Sequence, residues 1–177
     1  MIFTKYKFIP KDIAGYFISA DLTHKQQNEI LTDIFENHNS SIVFPYRNDF
    51  GLLRRTVADL IIKYELDNAT IDEVQVIMWE MGEYGSILDK ENYDRLGAYF
   101  KLIKLQLMYS DISFKKIKLR TLLKDFGYKR RTADLVSRIN RAFSALGLVT
   151  YLKNRNQCNI GQVKLDDMII IRLCEDN

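Results

Sequence analysis

The chain runs to 177 residues, 47% apolar and 28% charged, with only two prolines, Pro10 and Pro45. That is enough for one domain or two small, closely joined ones, and too apolar for disorder to be expected. No apolar run approaches the ~20 residues of a membrane helix, and residues 1–10, with Lys5 and Lys7 inside a short apolar stretch, lack the core and cleavage site of a signal peptide.

Two cysteines, Cys158 and Cys174, fit a reducing cytoplasm with free thiols, a bond between them staying open. The only histidines, His24 and His38, give no zinc spacing with them. The net charge of +3 hides an uneven distribution: residues 1–110 carry 12 Lys/Arg against 16 Asp/Glu, whereas residues 111–177 carry 14 against 7. A phosphate-binding module joined to a non-binding body segregates charge this way. A merely solvated basic face does so too, and the pattern beneath must decide.

Residues 1–9 read as a short strand or an arm, and residues 11–20 are ambiguous between helix and strand. Thr23 is a good N-cap for a helix over 25–35, which places Ile30, Leu31, Ile34 and Phe35 on one face. A turn cluster at 37–41 precedes a β-like run at 42–44. Asp49 then caps an amphipathic helix with Leu52, Leu53, Val57, Leu60, Ile61 and Tyr64 at helical spacing. Thr70 and Glu73 form a capping box for a helix whose stripe is Val74, Ile77, Met78 and Met81, ended by Gly82 and Gly85. A long helix starts at Asp89 or Asn92 and runs to about Tyr109, repeating Tyr93, Leu96, Phe100, Ile103, Leu107 and Met108. The segment 1–110 is therefore a helical body. Its helices at 52–64 and 71–81 form either part of a plain bundle or a degenerate second winged helix.

From Lys115 the grammar changes. Residues 116–119 alternate like a strand, and Arg120/Thr121 opens a helix with Leu122, Leu123 and Phe126 inward, stopped by Gly127. Tyr128-Lys129-Arg130-Arg131 is a turn. Thr132 caps a helix whose stripe is Leu135, Val136, Ile139, Ala142, Phe143 and Leu146, ending at Gly147. Residues 148–152 and 168–173 read as strands, with a polar tip at 154–157. This order, and the run SALGLVTYLKNRNQ in particular, resembles the winged helix-turn-helix DNA-binding superfamily over about 60 residues. The fold expected is mainly α with a small antiparallel β wing: a helical body over 1–110 and a winged helix over 111–177.

The resemblance implies a reading helix in the major groove. Opposite the apolar stripe, that helix presents Asp134, Ser137, Arg138, Asn140, Arg141 and Ser144. Arginine pairs bidentately with guanine and asparagine with adenine, so Arg138, Asn140 and Arg141 are the candidate readers, with Ser137 beside them. Lys129, Arg130 and Arg131 are placed to clamp phosphates, and Arg155 at the tip to reach a minor groove or the backbone. Singly, each is an ordinary solvated residue; their convergence on one element favours a nucleic-acid role. Some winged helices use the same face for proteins.

No phosphate-binding loop, dinucleotide fingerprint, HExxH or paired CxxC occurs, so neither a cofactor nor a metal is implied. Asp125-Phe126-Gly127 imitates a kinase triplet without the other kinase signatures. Asp166 and Asp167 near Lys164 read as a turn, Asp72 and Glu73 as capping acids, and Trp79 as an anchor. The expected protein is a cytoplasmic, non-enzymatic binder of double-stranded DNA that touches no membrane. It would act as a homodimer or within a larger complex, as a transcription regulator or as the recognition subunit of a mobile-element or restriction/defence system. The alternatives are a protein–protein adaptor with tandem winged helices and a small metal-dependent nuclease.

Overall fold

The computed structural model describes residues 4–66 and 95–175. Thr70, Glu73, the stripe of Val74, Ile77, Met78 and Met81, Trp79 and the glycines at 82 and 85 lie outside the described residues. So, with them, does the paired-helix reading. The chain divides into two compact units, Met1–Asp94 and Arg95–Asn177.

In the first unit, α1 (Pro10–Ser19), α2 (His24–Asn37) and α3 (Phe50–Leu66) supply the helices. The ambiguous stretch after residue 10 is helical because Pro10 occupies the first turn, where no amide donor is needed, and the Asp12 carboxylate accepts from the Ile9 amide at 2.9 Å. Thr23 caps α2 as expected, in a box with Gln26. The β-like run at 42–44 is reduced to a parallel bridge between Phe8 and Ile42. α1 packs against α3, and Phe8, Ile13, Phe17, Ile34, Ile42, Leu53 and Leu60 are buried.

The second unit contains α4 (Arg95–Tyr109), β1 (Lys115–Lys118), α5 (Leu119–Asp125), α6 (Ala133–Leu146), β2 (Leu148–Tyr151) and β3 (Met168–Leu173). The strands form an antiparallel sheet in the order β1-β3-β2, with Ile117 opposite Ile169 and Thr150 opposite Ile171. α4 packs on α6 and on β3. The Phe100 and Phe143 rings meet edge to face, centroids 4.6 Å apart. The two compact units part between residues 94 and 95, with α4 in the C-terminal one; helical periodicity reveals that α4 has an apolar stripe but not which partner covers it. Leu119, Leu122, Leu135, Ile139, Ile169 and Ile171 complete this core.

α5 ends in a Schellman arrangement, in which the Gly127 amide donates to Lys124 O and the Tyr128 amide to Leu123 O, both at 2.9 Å. Gly127 has φ +77°, and nothing lies within 4 Å of where a Cβ would stand. Gly127→Ala therefore meets backbone strain without a clash, and should lower stability by about 1 kcal/mol, read as a lower urea midpoint.

Tyr99 of α4 stands edge-on to Phe126, centroids 5.2 Å apart. Burial, with the Asp125 charge second, pushes its phenol from 10.0 up to about 12. The folded state then holds the proton more tightly than the unfolded chain. The stability this contributes is complete below about pH 10 and is lost as pH rises toward about 12. Urea unfolding across that window should show a smaller loss of stability for Tyr99→Phe than for the wild type.

Residues 152–167, between β2 and β3, depart from a simple strand-tip-strand wing. The chain turns back at once on the free edge of β2. Leu152 N donates to Asn156 O and Cys158 N to Thr150 O, both at 2.9 Å, while Tyr151 bridges Gln157. Arg155 at φ +67° and the Asn154 side chain, accepting from the Asn156 amide at 3.2 Å, shape this turn. The chain then crosses to β3 with Ile160 and Val163 buried. On the way Leu165 O accepts from the Arg120 amide at 2.7 Å and Asp167 O from the Leu119 amide at 3.2 Å. Both cysteines are free thiols, and no helix among the described residues is long and apolar enough to cross a membrane.

Candidate nucleic-acid interface

α6 is positioned by its two ends. Thr132 caps the first turn, its hydroxyl accepting from the Leu135 amide at 3.2 Å, and Gly147 closes the last at φ +65°. Leu135, Ile139, Ala142, Phe143 and Leu146 are buried along one side. On the opposite side Asp134, Arg141, Ser144 and Ala145 are exposed, with Ser137 half-buried among them. A helix whose apolar stripe is fully covered must offer its other face to solvent or to a partner.

The candidate residues fare differently. Arg141 projects from the middle of this face, exposed and without an ion pair among the described residues. Arg138 lies at its edge, half-buried, with Nη1 donating to the Tyr128 hydroxyl at 2.9 Å. Asn140 is half-buried at the other edge, one row from Phe143. Lys129 and Arg130 are exposed at the turn entering α6. Arg131, expected beside them as a phosphate clamp, is instead engaged with the protein's own backbone. Its Nη1 donates to the carbonyl oxygens of Ile160, at 3.0 Å, and of Val163. Ile160 and Val163 are buried, and carbonyls of such residues, turned from water, require donors. Arg131 ties these residues to the turn. Arg155 is exposed in the β2 hairpin.

Sequence spacing passed over three further cations. Lys124 is exposed at the end of α5 and Lys153 in the β2 hairpin. Arg172 lies over the Phe114 and Tyr151 rings, at 5.6 and 6.0 Å from their centroids. Their neighbours across the sheet and turn are remote in sequence; for Lys153 alone, the adjacent polar tip was a usable signal.

The carboxylates near Lys164 hold turns together. Asp166 accepts both Nε and Nη2 of Arg120, at 2.8 and 2.9 Å, which holds its carboxyl below the usual range. Asp167 accepts from the Lys164 amide at 3.0 Å. Among the described residues no three His, Cys, Asp or Glu side chains gather to hold a metal ion.

No protein-family model, curated protein or solved structure matches the chain.

Proposed function

We propose that the C-terminal unit is a winged helix that binds double-stranded DNA, with α6 as the reading helix in the major groove. One observation carries the reading: α6 buries its apolar stripe against α4 and the β1-β3-β2 sheet while its opposite face carries Ser137, Arg141 and Ser144, with Lys129 and Arg130 at its entry. A helix so mounted can enter a major groove with its polar face toward base edges. Cations at the entering turn meet the flanking phosphates.

In this reading Arg141 is the principal reader and Arg138 a second, oriented by Tyr128, with Ser137 and Asn140 at their sides. Lys129 and Arg130 clamp phosphate, and Arg155 with Lys153 reaches the backbone from the β2 hairpin. The acidic balance of the remaining chain assigns the N-terminal unit to dimerisation or to docking in a larger assembly, as in a cytoplasmic transcription regulator or the recognition subunit of a defence system.

The test is duplex binding by fluorescence anisotropy at two salt concentrations, wild type beside Arg141→Ala. Salt-steep binding that the substitution weakens supports the reading. Absence of binding, or equal binding by the variant, removes it and turns attention to a protein partner on the same face.

A further inference from the structure

Beside the turn that enters α6 lies an open groove of about 450 Å³, within the range of small-ligand sites. Leu123, Leu165 and Tyr128 line it together with Arg120, Lys124 and Lys129. No carboxylate lines it. Arg120 is neutralised by its paired bonds to Asp166, whereas Lys124 and Lys129 have no carboxylate partner among the described residues. At Gly127 a side chain is missing from the lining, and its positive φ disfavours one being added.

We infer that this groove binds a small anionic ligand with an aromatic or aliphatic body, and that the ligand regulates α6. The apolar lining takes the body, and the two unpaired ammonium groups take the anion. A bare phosphate of a nucleic-acid backbone would leave Leu123 and Leu165 unused.

The regulatory half rests on the duplex-binding reading, and its route is short. Tyr128 lines the groove, while its hydroxyl accepts from Arg138 at the edge of the α6 reading face at 2.9 Å. The Tyr128 backbone is pinned to Leu123 O, so a bound body displaces the ring and with it one hydrogen-bond partner of Arg138. The ligand's anion also occupies Lys129, a phosphate clamp. Both effects oppose duplex binding, and linkage makes the opposition reciprocal.

The probe is 1-naphthoate titrated into the full-length ¹⁵N-labelled chain by NMR. Saturable shifts should centre on the amides of Gly127, Tyr128 and Leu165, with a dissociation constant on the order of 0.1–1 mM. Lys124→Glu with Lys129→Glu should weaken binding about tenfold or more, and neutral 1-naphthalenemethanol should bind correspondingly worse. Shifts that do not saturate, that centre elsewhere, or that survive charge reversal overturn the site.

A second arm measures duplex affinity by anisotropy with and without saturating naphthoate. A loss in the wild type that Tyr128→Phe abolishes, while that variant still binds naphthoate, supports the coupling. An unchanged wild-type affinity overturns the coupling alone. If no duplex binds under any condition the duplex reading falls, and the NMR arm still decides the site.

Discussion

Raising salt from about 50 to about 200 mM is expected to weaken duplex binding about a thousandfold. Exposed cations stand at the end of α5 (Lys124), at the turn (Lys129 and Arg130), on α6 (Arg141) and in the β2 hairpin (Lys153 and Arg155). If each neutralises one phosphate, the slope of log affinity against log salt is about −5, since each contact contributes about −0.9. Arg141→Ala should lower affinity at fixed salt by roughly 1–3 kcal/mol, about 5- to 150-fold, because a side chain reading a base edge is worth that much. Its stability should stay within about 0.5 kcal/mol of wild type, as expected for an exposed side chain without a partner.

Arg131→Ala should behave in the opposite way. It removes the donor to the backbone carbonyls of the buried residues Ile160 and Val163, so its expected effect is a stability loss of about 1–3 kcal/mol with the salt slope unchanged. Anisotropy and urea unfolding on the same two variants separate a reader from a brace. If Arg141→Ala binds like wild type, or if binding ignores salt, the face does not read DNA.

This pair also marks how much the sequence could reveal. Lys129, Arg130 and Arg131 are indistinguishable as consecutive cations after a helix-ending glycine. What separates them is where the carbonyls of Ile160 and Val163 arrive, 29 and 32 residues later. Local signals were reliable because their physics is local: Thr23 and Thr132 as caps, Gly127 and Gly147 at positive φ, and the α6 stripe all sit where spacing and backbone chemistry place them. The strands at 148–151 and 168–173 pair as their alternation suggests, whereas the return of residues 156–158 along the other edge of β2 depends on Thr150 pairing with Cys158, which alternation cannot encode. On the candidate site, the exposure of Arg141 follows from helical phase alone. The bond from Arg138 to Tyr128 does not, since it requires the turn to fold back beside α6.

The largest stability effect is expected at the contact that defines the C-terminal unit. Phe100→Ala should cost about 3–5 kcal/mol, and Phe143→Ala a similar amount. Phe100 is 0% exposed and Phe143 6%, and their rings meet edge to face at 4.6 Å, so truncation of either empties a volume that α4, α6 and the sheet surround. Against a typical domain stability of about 5–15 kcal/mol, a loss of that size brings the unit close to unfolding. Replacing both residues should cost less than the sum of the two single changes, since edge-to-face pairs couple by about 0.5–1.5 kcal/mol. Urea unfolding of the four proteins measures that coupling directly. The same contact sets where an autonomous fragment can begin. One starting at Arg95 retains α4 and should unfold cooperatively, whereas one starting at Asp111 leaves Phe143 and the inner side of β3 uncovered. The shorter fragment should lack a cooperative transition and bind duplex DNA poorly, whatever cations it keeps. If it folds as well as the longer one, α4 is an accessory to the unit and the division belongs at 110/111.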